Sequence, residues 1–444
     1  MTEPNRARAA QGKGGKPRVQ HRPLTDNAAL RAEHGMPQVL RAPRPDSESR
    51  AFMRLVNLTT WLPMEARSVR TQRAVWRMTA LAMGRRPHLA AVRTQWIPGP
   101  GGPIELRVFV PGPSTQPRPA FLWCHGGGFM LGGPETSESI CRSIASIAGC
   151  IVIAVRYRLA PEHDLFASRE DFLAALHWVH AHGASLGIDV ERLAIGGDSA
   201  GGNVTAAVAQ RVTQAGGPKL ALQVLVYPAT DLSHRFESLA ENASGYVLTQ
   251  KVADRIGQII NIPPNADDPW LSPRRNPWLH DLPPALVLSA GFDPIRDDAL
   301  DYSARLRAAG VPVQLLHYAG QFHGFLNFDS IIGAARDALQ RVAVALAAAF
   351  DGRPLEDQTI EIAERAGARR SKLAAAAGEL AQTTLTACVM AGRWHFTLLG
   401  QFARRSRDAA QLLRDTGIVA DLTARRSMVA NVERLSARHT YPST

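Results

Sequence analysis

The sequence predicts an α/β fold with a mostly parallel, doubly wound central sheet and helices on both faces, and two observations carry that prediction. Apolar runs such as "PAFLWCHGG", "CIVIAVRYR", "ALQVLVYP" and "PALVLSAGFD" are nearly continuous rather than alternating, as in strands covered on both sides. Between them lie "FLAALHWVHAHG", a segment from Ala200 and "DALDYSARLRAAG", all with helical spacing. Strands alternating with helices of that length wind a parallel sheet. With 444 residues, 45% of them hydrophobic, the chain can bury a full core.

Four parts follow in chain order. Residues 1–45 are rich in Pro, Gly, Arg and Gln with little periodicity, a composition that cannot offset its ordering entropy, and are expected to form a disordered basic tail. Residues 46–95 space apolar side chains three and four apart, interrupted at Pro63, and read as two helices. The sheet domain is expected within 96–351, from "IELRVFVPG" through "RLAIGGD" and "VPVQLLHYAG" to a closing helix "GAARDALQRVAVALAAAF". Residues 352–444 turn Ala- and Arg-rich. "RPLEDQ" reads as a linker and 358–440 as two or three extra helices, so the sheet domain is expected to end near 351 and to be separable from this extension.

The net charge of +12 gathers at the ends: residues 1–24 hold six Lys or Arg against Glu3 alone, and 353–444 hold fourteen against nine Asp or Glu. No helix-turn-helix, zinc-finger spacing or aromatic-interleaved basic patch accompanies it, so nucleic acid is not an expected partner. Cys124, Cys141, Cys150 and Cys388 show neither CxxC spacing nor the density of a disulfide scaffold, and the first 30 residues contain no apolar signal-like run. Both observations point to a reduced, cytoplasmic setting.

The chemistry concentrates at strand ends. "IGGDSAGGN" carries G-x-S-x-G as Gly197, Asp198, Ser199, Ala200 and Gly201 between the strand "RLAI" and an apolar helix. That context suits a nucleophile elbow, in which small neighbours let a strained serine expose its Oγ. A serine hydroxyl needs a base, and the base a carboxylate to hold it. His323, in the loop after "VQLLHY", is the candidate base; His317 lies inside that strand and is expected to be locked in packing. Asp293 comes first after "ALVLSAG" and is the candidate acid, whereas Asp297 and Asp298 fall in the next helix and are expected to cap it or pair with its arginines.

The loop "HGGGF" at 125–129 follows an early strand with three glycines in a row. Its pattern suits backbone N–H groups aimed at a developing oxyanion, a contribution of about 3 kcal/mol per donor. Gly127, Gly128 and, from the elbow, Ala200 are the expected donors. A phosphate-binding loop would need a G-K-[ST] ending, and no lysine is near.

With "YRLAPEH" at 157–163, "GDSAGG" at 197–202, "LPPALVLSAGFDPIRDDALDYSARLRAAGVPV" at 282–313 and "FHGF" at 322–325, the chain resembles the bacterial branch of the hormone-sensitive-lipase-like family of carboxylesterases over about residues 75–350. The resemblance implies an α/β-hydrolase fold with a helical cap built partly from the N-terminal segment. It implies a serine hydrolase that cleaves short- to medium-chain acyl esters of small molecules through an acyl-enzyme, with no metal or cofactor. It assigns Ser199, Asp293 and His323 to a catalytic triad and Gly127, Gly128 and Ala200 to the oxyanion hole. Glu162 and His163 become structural members of a loop beneath the site, and Asp198, beside the nucleophile, reads either as a brace for the elbow or as a group that tunes the pocket.

The rival readings are an amidase or arylacetamide-type deacetylase, which shares this machinery, and a non-catalytic binding protein of the same fold, which the complete set of three residues disfavours. Neither end of the chain is explained by the resemblance. "TTLTACVMAGRWHFTLLGQFARRSR" gathers Leu385, Val389, Trp394, Phe396, Leu398, Leu399 and Phe402 beside a basic run, and two readings stay open for it: peripheral contact with a membrane face, or packing on the hydrolase or on a second subunit of a homo-oligomer.

Overall fold

Residues 35–59, 67–245, 247–364 and 372–405 are described in a computed structural model of the chain. Helices α1 (Ser47–Thr59) and α2 (Val69–Met83) precede strands β1 (Ala91–Ile97), β2 (Ile104–Val110) and β3 (Arg118–Cys124). Then follow α3 (Glu138–Ala148), β4 (Ile151–Val155), α4 (Leu165–His182), β5 (Ile188–Asp198), α5 (Ala200–Gln214) and β6 (Leu220–Val226). Helices α6 (Glu237–Glu241) and α7 (Gln250–Ile259) lead to β7 (Ala285–Phe292), α8 (Arg296–Ala308), β8 (Val313–Phe322) and α9 (Gly333–Phe350). Strand β9 (Gln358–Ile362) and helix α10 (Lys372–Arg405) close the described chain.

The strands form one sheet in the order β1-β2-β4-β3-β5-β6-β7-β8-β9. The pairs β1–β2 and β2–β4 are antiparallel, and every pairing from β4–β3 to β8–β9 is parallel. Period-two alternation sorts the strand side chains. Phe121 and Trp123 face a cluster with Phe52, Ile144, Leu339 and Leu346. Leu122 and Cys124 face the opposite cluster with Phe172, Leu176, Val204 and Val208. Local sequence sets the helix starts: Asp164 accepts the Ala167 N–H at 3.0 Å to open α4, and Ser68 accepts that of Thr71 at 3.2 Å to open α2.

Register matters most for function. Cys124 pairs with Gly197, Asp198 with Val226, and Phe292 with Phe322. The carboxyl ends of β3 and β5 are therefore level, while β7 and β8 run on past Leu288 and Leu316, the residues in register with them, and end together. The residue after each strand opens at the carboxyl edge of the sheet, where ligand sites of parallel sheets form.

Three boundaries move from where the sequence suggests them. The first strand is Ala91–Ile97, which begins inside the segment 46–95 read as helical and crosses its end, because "AVRTQWI" is a half-exposed edge strand whose polar residues hide the pattern. The expected end of the catalytic unit at 351 is too early, since β9, in the segment read as helical, pairs with β8 from Gln314–Gln358 to Tyr318–Ile362. Its five residues, "QTIEI", are too few and too polar to stand out. The tail expected to run to 45 is ordered from residue 35. Ala42 N–H donates to Ala319 O at 3.0 Å, Asp46 N–H to Gly320 O at 3.0 Å, and Gln38 N–H to Glu361 at 2.6 Å. Residues 1–34 lie outside the described part.

Helix α10 packs along both α1 and α2. Glu379 pairs with Arg54 at 2.9 Å and Arg50 at 3.2 Å, and Arg393 donates to the last carbonyls of α2, Ala82 O at 2.6 Å and Gly84 O at 2.5 Å. Val389, Met390 and Trp394 press on the main core, while Leu385 and Leu398 are exposed. Among the described residues, no helix is long and apolar enough to cross a membrane. The rest of the expected C-terminal helices fall beyond the described residues.

Candidate active site

Ser199 follows β5 directly and begins α5 with φ 55° and ψ −118°, a conformation that non-glycine residues rarely hold. Its N–H donates to Val226 O at 2.9 Å, so the neighbouring strand fixes the turn. The turn also demands glycine two residues on: a Cβ on Gly201 would lie 2.0 Å from Cys124 O. The G-x-S-x-G spacing is thus a packing requirement of the elbow against β3.

His323 and Asp293, the first residues after β8 and β7, meet Ser199 there. Ser199 Oγ lies 2.8 Å from His323 Nε2, and His323 Nδ1 lies 2.7 Å from Asp293 Oδ2. The other oxygen, Asp293 Oδ1, accepts the Ile295 N–H at 2.8 Å, and the side chain is wholly buried. Asn242 donates to Asp293 O at 3.1 Å, and the Tyr227 ring lies 4.8 Å from the imidazole. These contacts leave Nε2 facing the hydroxyl when Nδ1 carries the proton shared with the carboxylate.

The glycine loop abuts the elbow. Gly126 N–H donates to Asp198 Oδ1 at 2.8 Å, and Tyr157 O–H donates to His125 O at 2.6 Å. His125 stacks on Tyr157 at 4.2 Å, and burial lowers its pKa to about 4, so it stays neutral. Gly127 has φ 124°, and a Cβ there would lie 2.3 Å from Leu131 O. No other residue type fits at this position. The N–H groups of Gly127 and Gly128 find no acceptor among the described residues. Ala200, first in α5, has no intrahelical acceptor for its own.

The remaining sequence candidates have structural partners. His317 is held between Ser289 Oγ at 2.8 Å and Leu40 O at 3.0 Å. Asp297 pairs with Arg296 at 2.7 Å, and Asp298 accepts the hydroxyl proton of Thr230. Glu162 takes both ends of Arg73 from α2 at 2.8 and 2.7 Å, and Arg73 also donates to Met130 O at 2.8 Å. The "YRLAPEH" loop thereby ties the helix α2 to the segment beside the glycine loop. Asp198 braces the glycine loop as well as the elbow. Arg169, Asn203, Tyr227 and Asn242 were not singled out from the sequence. Asn203 ends the quoted "IGGDSAGGN", but no local motif marks the other three, because their partners lie far along the chain.

Asp198 gives a pH prediction. Burial pushes its pKa from the ordinary 3.8 up to about 6, against the lowering effects of the Gly126 N–H, His323 and Asn327. The folded state then holds this proton more tightly than the unfolded chain, so stability falls as pH rises from about 4 through about 6 and levels off above. An amide does not titrate. The stability of Asp198→Asn relative to wild type is expected to rise by about 2 kcal/mol between about pH 4 and about pH 7. Urea unfolding at the two pH values measures it, and a constant difference would contradict this account of the buried carboxyl.

Comparison with known proteins agrees with this geometry. A family described as alpha/beta hydrolase fold matches residues 121–327. Esterase LipI of Mycobacterium tuberculosis is 41% identical over 264 residues, 58% of this chain and 81% of that protein. The ethyl acetate hydrolase of Pseudomonas putida is 36% identical over 55% of this chain and 79% of its own. A solved hyperthermophilic esterase from the archaeon Pyrobaculum calidifontis superposes with a TM-score of 0.66 at 34% identity, covering 98% of that chain and 69% of this one. These likenesses, together with the mostly parallel sheet, show that this chain belongs to the hormone-sensitive-lipase-like esterases of the alpha/beta hydrolase family and is a hydrolase of carboxylic esters.

Proposed function

We propose that Ser199 is the nucleophile, His323 the general base and acid, Asp293 its orienting carboxylate, and Gly127, Gly128 and Ala200 the oxyanion donors. The observation that carries this assignment is the unbroken contact from Ser199 Oγ to His323 Nε2 at 2.8 Å and from Nδ1 to Asp293 at 2.7 Å. As Oγ attacks the ester carbonyl carbon, its proton passes to Nε2 and the carbonyl electrons move onto oxygen, where the three N–H groups receive the charge. The intermediate collapses, the alkoxide leaves with the proton from Nε2, and the acyl group stays on Ser199. Water then gives a proton to Nε2 and attacks. A second collapse releases the carboxylic acid and returns the proton to Oγ.

The substrates are small-molecule esters with short to medium acyl chains. Ile256 of α7 lies over the glycine loop, 3.0 Å from where a Gly128 Cβ would stand. Val69, Ile256, Ile259 and Trp270 pack against the cluster that contains Phe129 and Met130. An apolar cover of this kind limits the length of chain that fits. The Pseudomonas putida relative, an ethyl acetate hydrolase, supports the same reading.

On a p-nitrophenyl ester series, kcat/KM is expected to peak below about ten acyl carbons and to drop at least about ten-fold beyond. A profile rising steadily into long-chain triglycerides would overturn the substrate class. Matched anilides, expected to be far slower, test the amidase alternative.

A further inference from the structure

Arg169 on α4 is fully buried, and no carboxylate stands within ion-pairing distance of it among the described residues. Its hydrogen-bond partners are all neutral groups, and the Asp268 carboxylate acts on it only through space. Nε donates to Trp270 O at 2.5 Å, Nη1 to Leu165 O at 2.5 Å and Ser168 Oγ at 3.2 Å, and Nη2 to Asn203 Oδ1 at 2.5 Å and Leu271 O at 3.2 Å. The same group lies 5.2 Å from the centre of the Phe129 ring. Burial lowers its pKa to about 10, which leaves it charged at neutral pH. A buried, unpaired cation costs several kcal/mol, and a Met or Leu would fill the space without that cost.

Its partners connect it to both halves of the site. Asn203 stands one helical turn after Ser199; its N–H donates to Ser199 O at 3.1 Å, and its amide donates to Ala229 O at 2.6 Å and Leu271 O at 2.9 Å. Ala229 N–H also donates to Ser199 O, at 3.2 Å. Phe129, whose φ is 60°, directly follows Gly128. The guanidinium thus touches the residue that braces the nucleophile from below and the residue that ends the row of oxyanion donors.

We propose that Arg169 is a positioning residue for ester hydrolysis: its planar fork holds Asn203 and Phe129 in register, and its charge, held in no ion pair, favours the negative oxygen formed during attack. The proposal rests on the assignment of Ser199 and the glycine loop made above. A fork of five donors can bridge three segments at once, which a lysine cannot match. A cation in a low-dielectric interior acts over more distance than in water.

The test compares Arg169→Met and Arg169→Lys with wild type on p-nitrophenyl butyrate, each normalised to sites counted by stoichiometric p-nitrophenol release from a p-nitrophenyl phosphonate. Counting sites removes unfolded protein from the rate. For Arg169→Met, kcat per titrated site is expected to fall about 10- to 100-fold with KM within about three-fold, the pattern of a displaced transition-state contact. Arg169→Lys, which keeps the charge without the fork, is expected to fall between the two. A Met variant with kcat per site within about two-fold of wild type would overturn the proposal and leave Arg169 a packing residue. So would a loss confined to KM or to thermal stability. If the Met variant yields no folded protein, Arg169→Lys decides alone: a full wild-type kcat per site overturns the proposal. Failure of the underlying site assignment reads differently, as wild-type protein that releases no stoichiometric burst.

Discussion

Ser199→Ala is expected to lower kcat on p-nitrophenyl butyrate by roughly 100,000-fold, leaving only the residual rate that an oxyanion hole and a binding pocket give by themselves. The loss is this large because Oγ is both the attacking atom and the proton donor to Nε2, 2.8 Å away, and alanine supplies neither. Folding should survive. The elbow is held by backbone contacts, Ser199 N–H to Val226 O and Asn203 N–H to Ser199 O, which the substitution leaves in place. Far-UV circular dichroism and a melting temperature close to wild type confirm an intact fold. His323→Ala should show a loss of similar order, since removal of a single member disables the unit. A Ser199→Ala protein within about 100-fold of wild type would remove Ser199 from the mechanism.

A chain ending at Asp351 is expected to be insoluble or severely destabilised, contrary to the separable core that the sequence suggests. That cut removes β9, whose five residues pair with Gln314–Tyr318, and leaves the edge of β8 open. It exposes the pocket of Ile362, which is 7% exposed in the full chain. It also strips α10 from α1 and α2, with the Glu379 ion pairs, the Arg393 contacts and the packing of Val389, Met390 and Trp394. The lost apolar burial and ladder hydrogen bonds amount to several kcal/mol, on the order of the net stability of a whole domain. A chain ending at Glu364 restores β9 and should recover soluble protein with a weakened cap. A chain ending at Asp351 that matches the full chain in yield, melting temperature and activity would show that β9 and α10 are dispensable.

The site was legible because its chemistry is local. A strained serine needs small neighbours at fixed offsets, so Gly197 and Gly201 announce Ser199, and the clash with Cys124 O shows why. A glycine loop cannot be built from other residues when a Cβ would meet Leu131 O, so "HGGGF" is equally plain. Asp293 followed from being first after its strand and His323 from lying in the loop past "VQLLHY", and the paired ends of β7 and β8 present both toward Ser199. What escaped the sequence depends on contacts far apart in the chain. Arg169 sits in "SREDF", where no spacing marks it; Trp270 and Leu271 return over it, and Asn203 and Phe129 meet it from other elements. Strand β9 owes its existence to the free edge of β8 rather than to the propensity of "QTIEI". The role of 372–405 likewise appears only when α1 and α2 lie beneath it.

The most direct test of the account is to inactivate the full-length protein with a fluorophosphonate while following both activity on p-nitrophenyl butyrate and the site of the adduct by peptide mass mapping. One adduct per chain is expected, on the peptide that carries Ser199, with activity falling in proportion to its formation. Full modification of Ser199 with ester hydrolysis intact, or complete inactivation with the adduct on another residue, would contradict it.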